Sequence, residues 1–541
     1  MSTIEISRVA IVVDAERDNV AVAKSHVAAE TEVGFNGATI RVSAYVGAGH
    51  RFAIRPIPAG DWARQYGQPF GVSRGIALGD PITDANLESR VPQVDPATNP
   101  IKQFNDLTIQ RFNEIPSFLG YRRADGRAGI RNWILIVPTS MCSSHEARMI
   151  SMMAEMNGTW SREKFPNVDG VTAIPHNFGC GCPDGGQVTA TVKMLARYLN
   201  HPNVAAALVI ELGCEKTNLA IFQNFADKHL DDPAIRGSDI VKMVHAPGKS
   251  ATRIFGKPVR SIGVQGCGGT EATIRRGLEL VAELCAEANQ ARRESIPITE
   301  LSVGLKCGGS DGFSGLSANP ALGHASDLVV ANGGTTMITE VPEFFGAEHL
   351  YAARARSREG AMQVFAAMDR FAKYAARAQR TMSDNPSAGN KEGGLINITI
   401  KSLGALAKSG TAPIEGVLDY CALAPHRGHW LVYCPSYDQE STPALIASGC
   451  QLVCFTTGRG TGIGNAIAPV IKIASNTEMA TRMAADMDVN AGTVIDGRET
   501  IEQVGKKIFD EILAVASGKI CAAERNKHRE FMIWDEEGIS M

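Results

Sequence analysis

The chain has little net charge and no long apolar run. Its 541 residues carry 54 basic and 57 acidic side chains, a net charge of -3. That balance leaves no electrostatic footprint for nucleic acid or for an anionic membrane surface. No uninterrupted apolar stretch approaches the ~20 residues that a membrane span needs. The start, Met1-Ser2-Thr3-Ile4-Glu5, lacks the basic, apolar and cleavage regions of a signal peptide, so a cytoplasmic protein is expected. No Cys-x-x-Cys pair occurs among the 12 cysteines, which argues against zinc ribbons and thioredoxin-type redox motifs. In a reducing compartment these cysteines read as buried residues, metal ligands or reactive thiols rather than disulfides. No repeat, low-complexity tract or basic recognition helix stands out.

Glycine is abundant instead. The 54 glycines are about 10% of the chain against a usual ~7%, and they gather in loops behind short apolar runs. A chain this long exceeds one ordinary core. Residues 1–88 read as a small β-rich domain, with strand candidates at Val9 to Val13, Ala38 to Val46 and Phe52 to Ile57. Gly47-Ala48-Gly49 reads as a hairpin-like turn between the last two. Residues 89–117 are rich in Pro, Asn and Asp and read as a linker. Residues 118–299 repeat one pattern four times. The runs Trp133 to Pro138, Val171 to Ile174, Val204 to Glu211 and Ser261 to Val264 each lead into a polar loop and then a helical pattern. Residues 300–541 continue the design, with a long helix over Glu359 to Arg380. Strand, loop and helix in alternation predict an α/β fold of two domains with mostly parallel sheets behind the small domain. Ligands bind such sheets at the carboxyl ends of the strands.

The chemistry is concentrated at those ends. Each of the four loops in 118–299 carries a cysteine, and Cys142, His176, Cys180, Cys214 and Cys307 all follow predicted strands. Buried small residues are the plain reading of each. Converging on one crevice, they would make a shared metal or cluster site, with thiolate and imidazole donors that suit iron or zinc. Gln265 to Thr270 resembles an anion site at a helix N-terminus and lacks the lysine of a phosphate-binding P-loop. The stretch Cys307-Gly308-Gly309-Ser310-Asp311-Gly312 places a thiol, a carboxylate and hydroxyls among glycines whose N–H groups can cradle an anion. Lys391 and Arg459 are cations inside glycine turns, where a carboxylate is the natural guest. The expected substrate is small, polyhydroxylated and anionic.

These residues resemble a known family. Gly120-Tyr121-Arg122-Arg123-Ala124-Asp125-Gly126, Gly129-Ile130-Arg131-Asn132, Gly179-Cys180, Leu212-Gly213-Cys214-Glu215, Cys307-Gly308-Gly309-Ser310-Asp311, Ala318-Asn319-Pro320, Asn385-Pro386-Ser387, Gly389-Asn390-Lys391, Thr456-Thr457-Gly458-Arg459-Gly460 and Asn490-Ala491-Gly492 look like the altronate/galactarate dehydratase family. The likeness covers nearly the whole chain, including a β-clip (SAF-like) domain with Asp18-Asn19-Val20 and Gly49-His50. It implies a hydro-lyase dependent on Fe²⁺ (or Mn²⁺) that turns a sugar acid into its 2-keto-3-deoxy product; a homo-oligomer is expected. A sulfolactate sulfo-lyase branch of the family, which eliminates sulfite, is the alternative. The resemblance, with the residue chemistry, gives His176 and His50 as base and acid. It gives Arg131, Ser310, Asp311, Asn319, Lys391 and Arg459 as substrate-binding residues, and His50, Cys142, Cys180, Cys214 and Cys307 as metal ligands. An iron–sulfur cluster on Cys142, Cys180 and Cys214 is the alternative cofactor. The chain departs from the altronate-type pattern at Ile82-Thr83-Asp84-Ala85-Asn86, which holds no histidine, at Arg51, where lysine is usual, and at the added Cys182. The galactarate-type branch also lacks histidines there, and Pro166-Asn167-Val168-Asp169-Gly170-Val171 resembles that branch, so a dicarboxylate such as galactarate is expected ahead of altronate.

Overall fold

The computed structural model describes residues 3–101, 111–183, 185–227 and 253–538. The N-terminal part folds into three small three-stranded sheets. They pair Ile4–Glu5 with Glu32–Phe35 and Ala38–Arg41, Ala10–Ile11 with Val20–Ala23 and Arg51–Ala53, and Trp62–Gln65 with Gln68–Ser73 and Leu87–Glu88. The segments expected to form a hairpin around Gly47-Ala48-Gly49 belong to different sheets. The 47–50 segment is a turn between them, with Gly49 buried. Strands of two to six residues give too short an alternation to fix their partners.

The next domain is built on a five-stranded sheet in the order Gly170–Ala173, Trp133–Pro138, Val204–Glu211, Lys257–Gly263 and Arg253–Ile254, parallel except at the last pair. The four anticipated strand-to-helix units are present, leading into helices Ser144–Met156, Gly186–Asn200, Leu219–Asp227 and Thr270–Ala288. Ile134, Ile136, Leu208 and Ile210 on one face of this sheet pack against Ile150 and Leu284 of two of those helices. Side chains of this kind contribute roughly 1.5–3 kcal/mol each when fully buried.

The C-terminal domain holds seven strands, all parallel, in the order Ile414–Leu418, His429–Val432, Thr335–Ile338, Ser302–Cys307, Leu452–Thr457, Val470–Ala474 and Val489–Asn490. Leu452–Thr457 and Val470–Ala474 are buried along their whole length, as expected for a sheet covered on both faces. The long helix is Arg358–Arg377. From Ser302–Cys307 the chain moves to one side of the sheet, fills it, and returns to the other side at Leu452–Thr457. The ends of those two neighbouring strands therefore form the topological switch point, where open parallel sheets open a crevice.

The small domain sits over that crevice. The Asn397 side-chain amide donates to the Phe70 carbonyl at 2.7 Å, and Phe70, Ala63 and Ile57 are continuous with the core of the C-terminal domain. Three glycines let three backbones meet there. A Cβ on Gly312 would lie 2.2 Å from the Gly49 carbonyl oxygen, and one on Gly394, at φ +100°, 2.3 Å from the same atom. No residue with a side chain fits either place.

Candidate active site

The loop after Ser302–Cys307 is organised by Asp311. Its Oδ1 accepts from the Phe313 N–H at 3.1 Å, the Ser314 N–H at 2.8 Å and the hydroxyls of Ser314 and Ser475, each at 2.8 Å. Its Oδ2 accepts from the Asn476 amide at 3.0 Å. Burial raises its pKa and those donors oppose the rise. Gly458 passes so close that a Cβ would lie 2.1 Å from the carboxylate carbon. Asp311 thus ties together the loops that follow three adjacent strands. Asn319 does similar work, donating to the Gly404 carbonyl at 2.9 Å and accepting from the Thr456 hydroxyl at 2.6 Å.

Above this floor lies a cavity of about 210 Å³ lined by His50, Arg51, Ile82, Thr83, Asp84, Lys391, Gly394 and Ile396. The small domain supplies five of these residues and the C-terminal domain three. His50 Nε2 pairs with the Glu392 carbonyl at 3.1 Å. Lys391 lies 3.7 Å from Asp84. Arg459 stands at the rim, 3.4 Å from Glu392. A water-sized void of about 10 Å³ beneath is lined by Arg51, Tyr66, Ser310, Asp311, Asn319 and Lys401, among others. The Ser310 hydroxyl, buried in its wall, has no hydrogen-bond partner.

Arg51 lines both spaces and was not among the candidates read from the sequence. It is 3% exposed. Its Nε donates to Gln65 at 2.5 Å and its Nη1 to the Gly394 carbonyl and, at 3.5 Å, to the Gly49 carbonyl. Among the described residues no carboxylate lies within 4.0 Å of it. Burial lowers its pKa to about 10. A desolvated cation without a counter-ion is costly, and it lines a cavity that an anion can enter beside His50 and Lys391. The signal was the departure at position 51 itself, next to Gly49-His50.

Two sequence expectations are corrected. Arg131 is fully buried and all five of its N–H donors are spent on protein. They go to both Glu524 oxygens at 2.6 and 2.8 Å, and to the carbonyls of Ile130, Val515 and Lys519 at 2.8 to 2.9 Å. It clamps the central domain to the C-terminal helices and has nothing left for a substrate. His176 is 8% exposed. Its Nδ1 accepts from the Phe178 N–H at 3.2 Å and its Nε2 donates to the Pro138 carbonyl at 3.0 Å. Burial lowers its pKa to about 4. It is a neutral anchor for its loop, with no free nitrogen to act as a base.

The expected thiol ligands separate into two places. Cys142, Cys180 and Cys214 are exposed on the central domain, and Cys307 is buried in the C-terminal one. Among the described residues, one trio of donor atoms lies within 4.8 Å of one another: those of Cys307, Glu340 and Glu343. A thiol and two carboxylates admit a divalent metal. Three lysines, however, are threaded through this trio. Lys306 pairs with Glu340 and, at 2.7 Å, with Asp438; Lys401 lies 2.9 Å from Glu343. Lys408 lies 2.8 Å from Glu340 and 3.1 Å from the Cys307 sulfur. Burial, then the two carboxylates, push the Cys307 thiol up to about 12, so it stays protonated and sits 3.3 Å from Glu343 Oε2 as a donor. Burial would raise Glu343 too, but Lys401 and Lys408 pull it down to about 2. The nest is closed and charge-balanced, and a metal could enter only by displacing Lys408 and the thiol proton. The crevice likewise holds no trio of donors within 4.8 Å among the described residues. Neither place fits a mononuclear ion as it stands.

Comparison with known proteins places the chain. Residues 9–90 match the altronate/galactarate dehydratase SAF domain. Residues 120–289 match the second domain of D-galactarate dehydratase/altronate hydrolase, and residues 298–538 the C-terminal domain of D-galactarate/altronate dehydratase. Altronate dehydratase of Bacillus subtilis (strain 168) is 32% identical over 537 residues, covering 97% of this chain and 98% of its own. The chain belongs to the altronate/galactarate dehydratase family. The L-threo-forming galactarate dehydratase of Escherichia coli (strain K12) is 34% identical over 503 residues, with 92% and 86% covered. The β subunit of (2R)-sulfolactate sulfo-lyase from Chromohalobacter salexigens is 30% identical over 423 residues, with 77% and 97% covered. The family places the chain among the carbon–oxygen lyases. Among the described residues no helix is long and apolar enough to cross a membrane.

Proposed function

We propose that the chain is a hydro-lyase that dehydrates a sugar acid, favouring an aldarate such as galactarate, to a 2-keto-3-deoxy acid in the crevice beneath the small domain. The observation that carries this reading is the buried, unpaired Arg51 guanidinium beside His50 in a cavity between two domains. One substrate carboxylate meets Arg51 at the floor, where a bidentate contact completes the guanidinium's bonding. Lys391 and Arg459 offer cations at the rim for a second carboxylate, and two separated cationic places suit a diacid better than an altronate-like aldonate. Ser310, Asp311 and Asn319 hold the floor.

The chemistry follows from the positions. Fixing the carboxylate next to C2 against Arg51 stabilises the enediolate that forms when the C2 proton leaves. The His50 imidazole takes that proton. The electron pair moves to form the C2–C3 double bond, and the C3 hydroxyl departs as water with the proton that His50 returns. The enol product then ketonises.

The test is an anaerobic screen with Fe²⁺ and a reductant against galactarate, altronate, related aldarates and sulfolactate, reading 2-keto acid and sulfite. A 2-keto-3-deoxy acid from an aldarate at higher kcat/KM than from any aldonate is expected. Sulfite from sulfolactate without 2-keto-3-deoxy acid from any sugar acid would replace this reading by a sulfo-lyase.

A further inference from the structure

The crevice lies at the carboxyl ends of the C-terminal sheet. A second and larger cavity, of about 360 Å³, opens at the amino ends of the same strands. That volume is within the range that holds small ligands. Ser302 and Thr335 begin the neighbouring strands Ser302–Cys307 and Thr335–Ile338, Gln451 precedes Leu452–Thr457, and all three line the cavity. A strand of six residues puts about 20 Å between this end of the sheet and the other. The central domain closes the far wall with Arg127, Ala128 and Pro202. Gln451 joins the two domains there. Its amide donates to the Ala128 carbonyl at 2.9 Å and the Glu300 carbonyl at 2.8 Å, and its Oε1 accepts from the Ser302 N–H at 2.5 Å. Clefts between domains are where ligand sites concentrate.

The wall carries polar groups that the fold does not satisfy. The Ser448 hydroxyl is 1% exposed and has no hydrogen-bond partner. A buried hydroxyl left unpaired is costly, and a ligand group that meets it removes the cost. Thr299, Ser302 and Thr335 line the same space. Among the described residues their hydroxyls make no hydrogen bond to protein. Arg127 supplies charge. Its Nε and Nη2 are held by Asp125 and Asn200 at 2.5 to 2.9 Å. Its Nη1 bonds no protein atom among the described residues. Arg427 stands at the rim and is engaged by Glu300 at 3.1 Å.

These groups select the guest. One guanidinium with a free edge suits a single carboxylate. A phosphate dianion would want a second free cation, and Glu300 already neutralises Arg427. Four hydroxyls in one wall suit a ligand that carries hydroxyls of its own. Ser448 follows the helix Asp438–Ala447, and the carboxyl end of a helix disfavours an anion. The ligand's hydroxyls therefore belong at Ser448 and its carboxylate at Arg127. We propose that this cavity binds a small polyhydroxylated monocarboxylate, at a site separate from the crevice. The proposal rests on the cavity and not on the dehydratase reading.

The test is titration of the full chain with D-gluconate, and separately with inorganic phosphate, by isothermal calorimetry. Hydrogen–deuterium exchange locates the bound ligand. Gluconate is expected to bind and to slow exchange at 423–428 and 447–451. Ser448→Ala should weaken that binding roughly 2–10-fold, the value of one hydrogen bond, without lowering Tm, because it removes an unpaired hydroxyl. Arg127→Met should weaken it roughly 10–150-fold, the value of a charge-assisted contact. Arg51→Met, in the crevice, should leave it unchanged. No binding at millimolar gluconate would overturn the proposal. So would protection confined to the crevice segments 47–51, 310–315 and 391–394, or wild-type affinity in both Ser448→Ala and Arg127→Met. Phosphate binding more tightly than gluconate, with the same protection, would overturn the choice of a carboxylate. None of these readouts depends on turnover.

Discussion

Arg51 and Arg131 show how little a side chain's identity says without its partners. Both are buried arginines in glycine-flanked segments. Arg131 has every donor matched, and Arg51 lacks an anion. Replacing Arg51 by Met should lower kcat/KM roughly 10–150-fold, the value of one charge-assisted contact of about 1.5–3 kcal/mol. The same change should leave Tm unchanged or raise it, because it removes an uncompensated buried charge. A fall in Tm with normal kcat/KM would make Arg51 structural. Lys391→Met and Arg459→Met, at side chains nearly half exposed, should raise KM with little change in stability, since surface pairs contribute about 0–1 kcal/mol. The sequence made Lys391, Arg459 and His50 visible through their glycine turns. It misled at His176, because a histidine at a strand end looks the same whether its nitrogens face a cavity or the backbone.

At the scale of elements, the four strand-to-helix units of the central domain were legible because runs such as Trp133–Pro138 are continuous and lead into helical periodicity. The strands of the small domain were not, since they run two to six residues and their pairing is set by distant contacts. The lysine nest was also invisible: Lys306, Lys401 and Lys408 are far apart in sequence and meet only when Ser302–Cys307 packs beside the helix Ile398–Leu406 and the turn after it. Lys401→Met should destabilise the fold by about 3–5 kcal/mol, because it strips Glu343 of its nearest cation; equilibrium urea unfolding measures it. A loss under 1 kcal/mol would count against the closed network. Gly312→Val should break the contact with Gly49, quicken proteolysis between the small domain and the rest, and lower kcat/KM at least as far as Arg51→Met.

Across the whole molecule, three domains share the work. The central one is clamped to the C-terminal one through Arg131 and Glu524, the C-terminal one supplies the switch-point crevice, and the small one covers it with His50 and Arg51. Stability against pH belongs to this scale. Burial raises Glu440 to about 7, above its unfolded value near 4.5. A raised carboxyl favours the folded state fully below the unfolded pKa and loses that advantage as pH rises through the folded one. Stability should therefore fall between about pH 4.5 and 7 by on the order of 2–3 kcal/mol, and Glu440→Gln should flatten that slope. An unchanged slope would exclude Glu440 as its source. The most direct measurement of the central claim is anaerobic 2-keto acid formation from galactarate by the wild type and by His50→Gln, with Tm recorded for both. The expected result is a 10²–10⁴-fold loss of kcat, the usual contribution of a general acid–base group, at unchanged Tm. Wild-type kcat in His50→Gln would contradict the placement of the chemistry beneath the small domain.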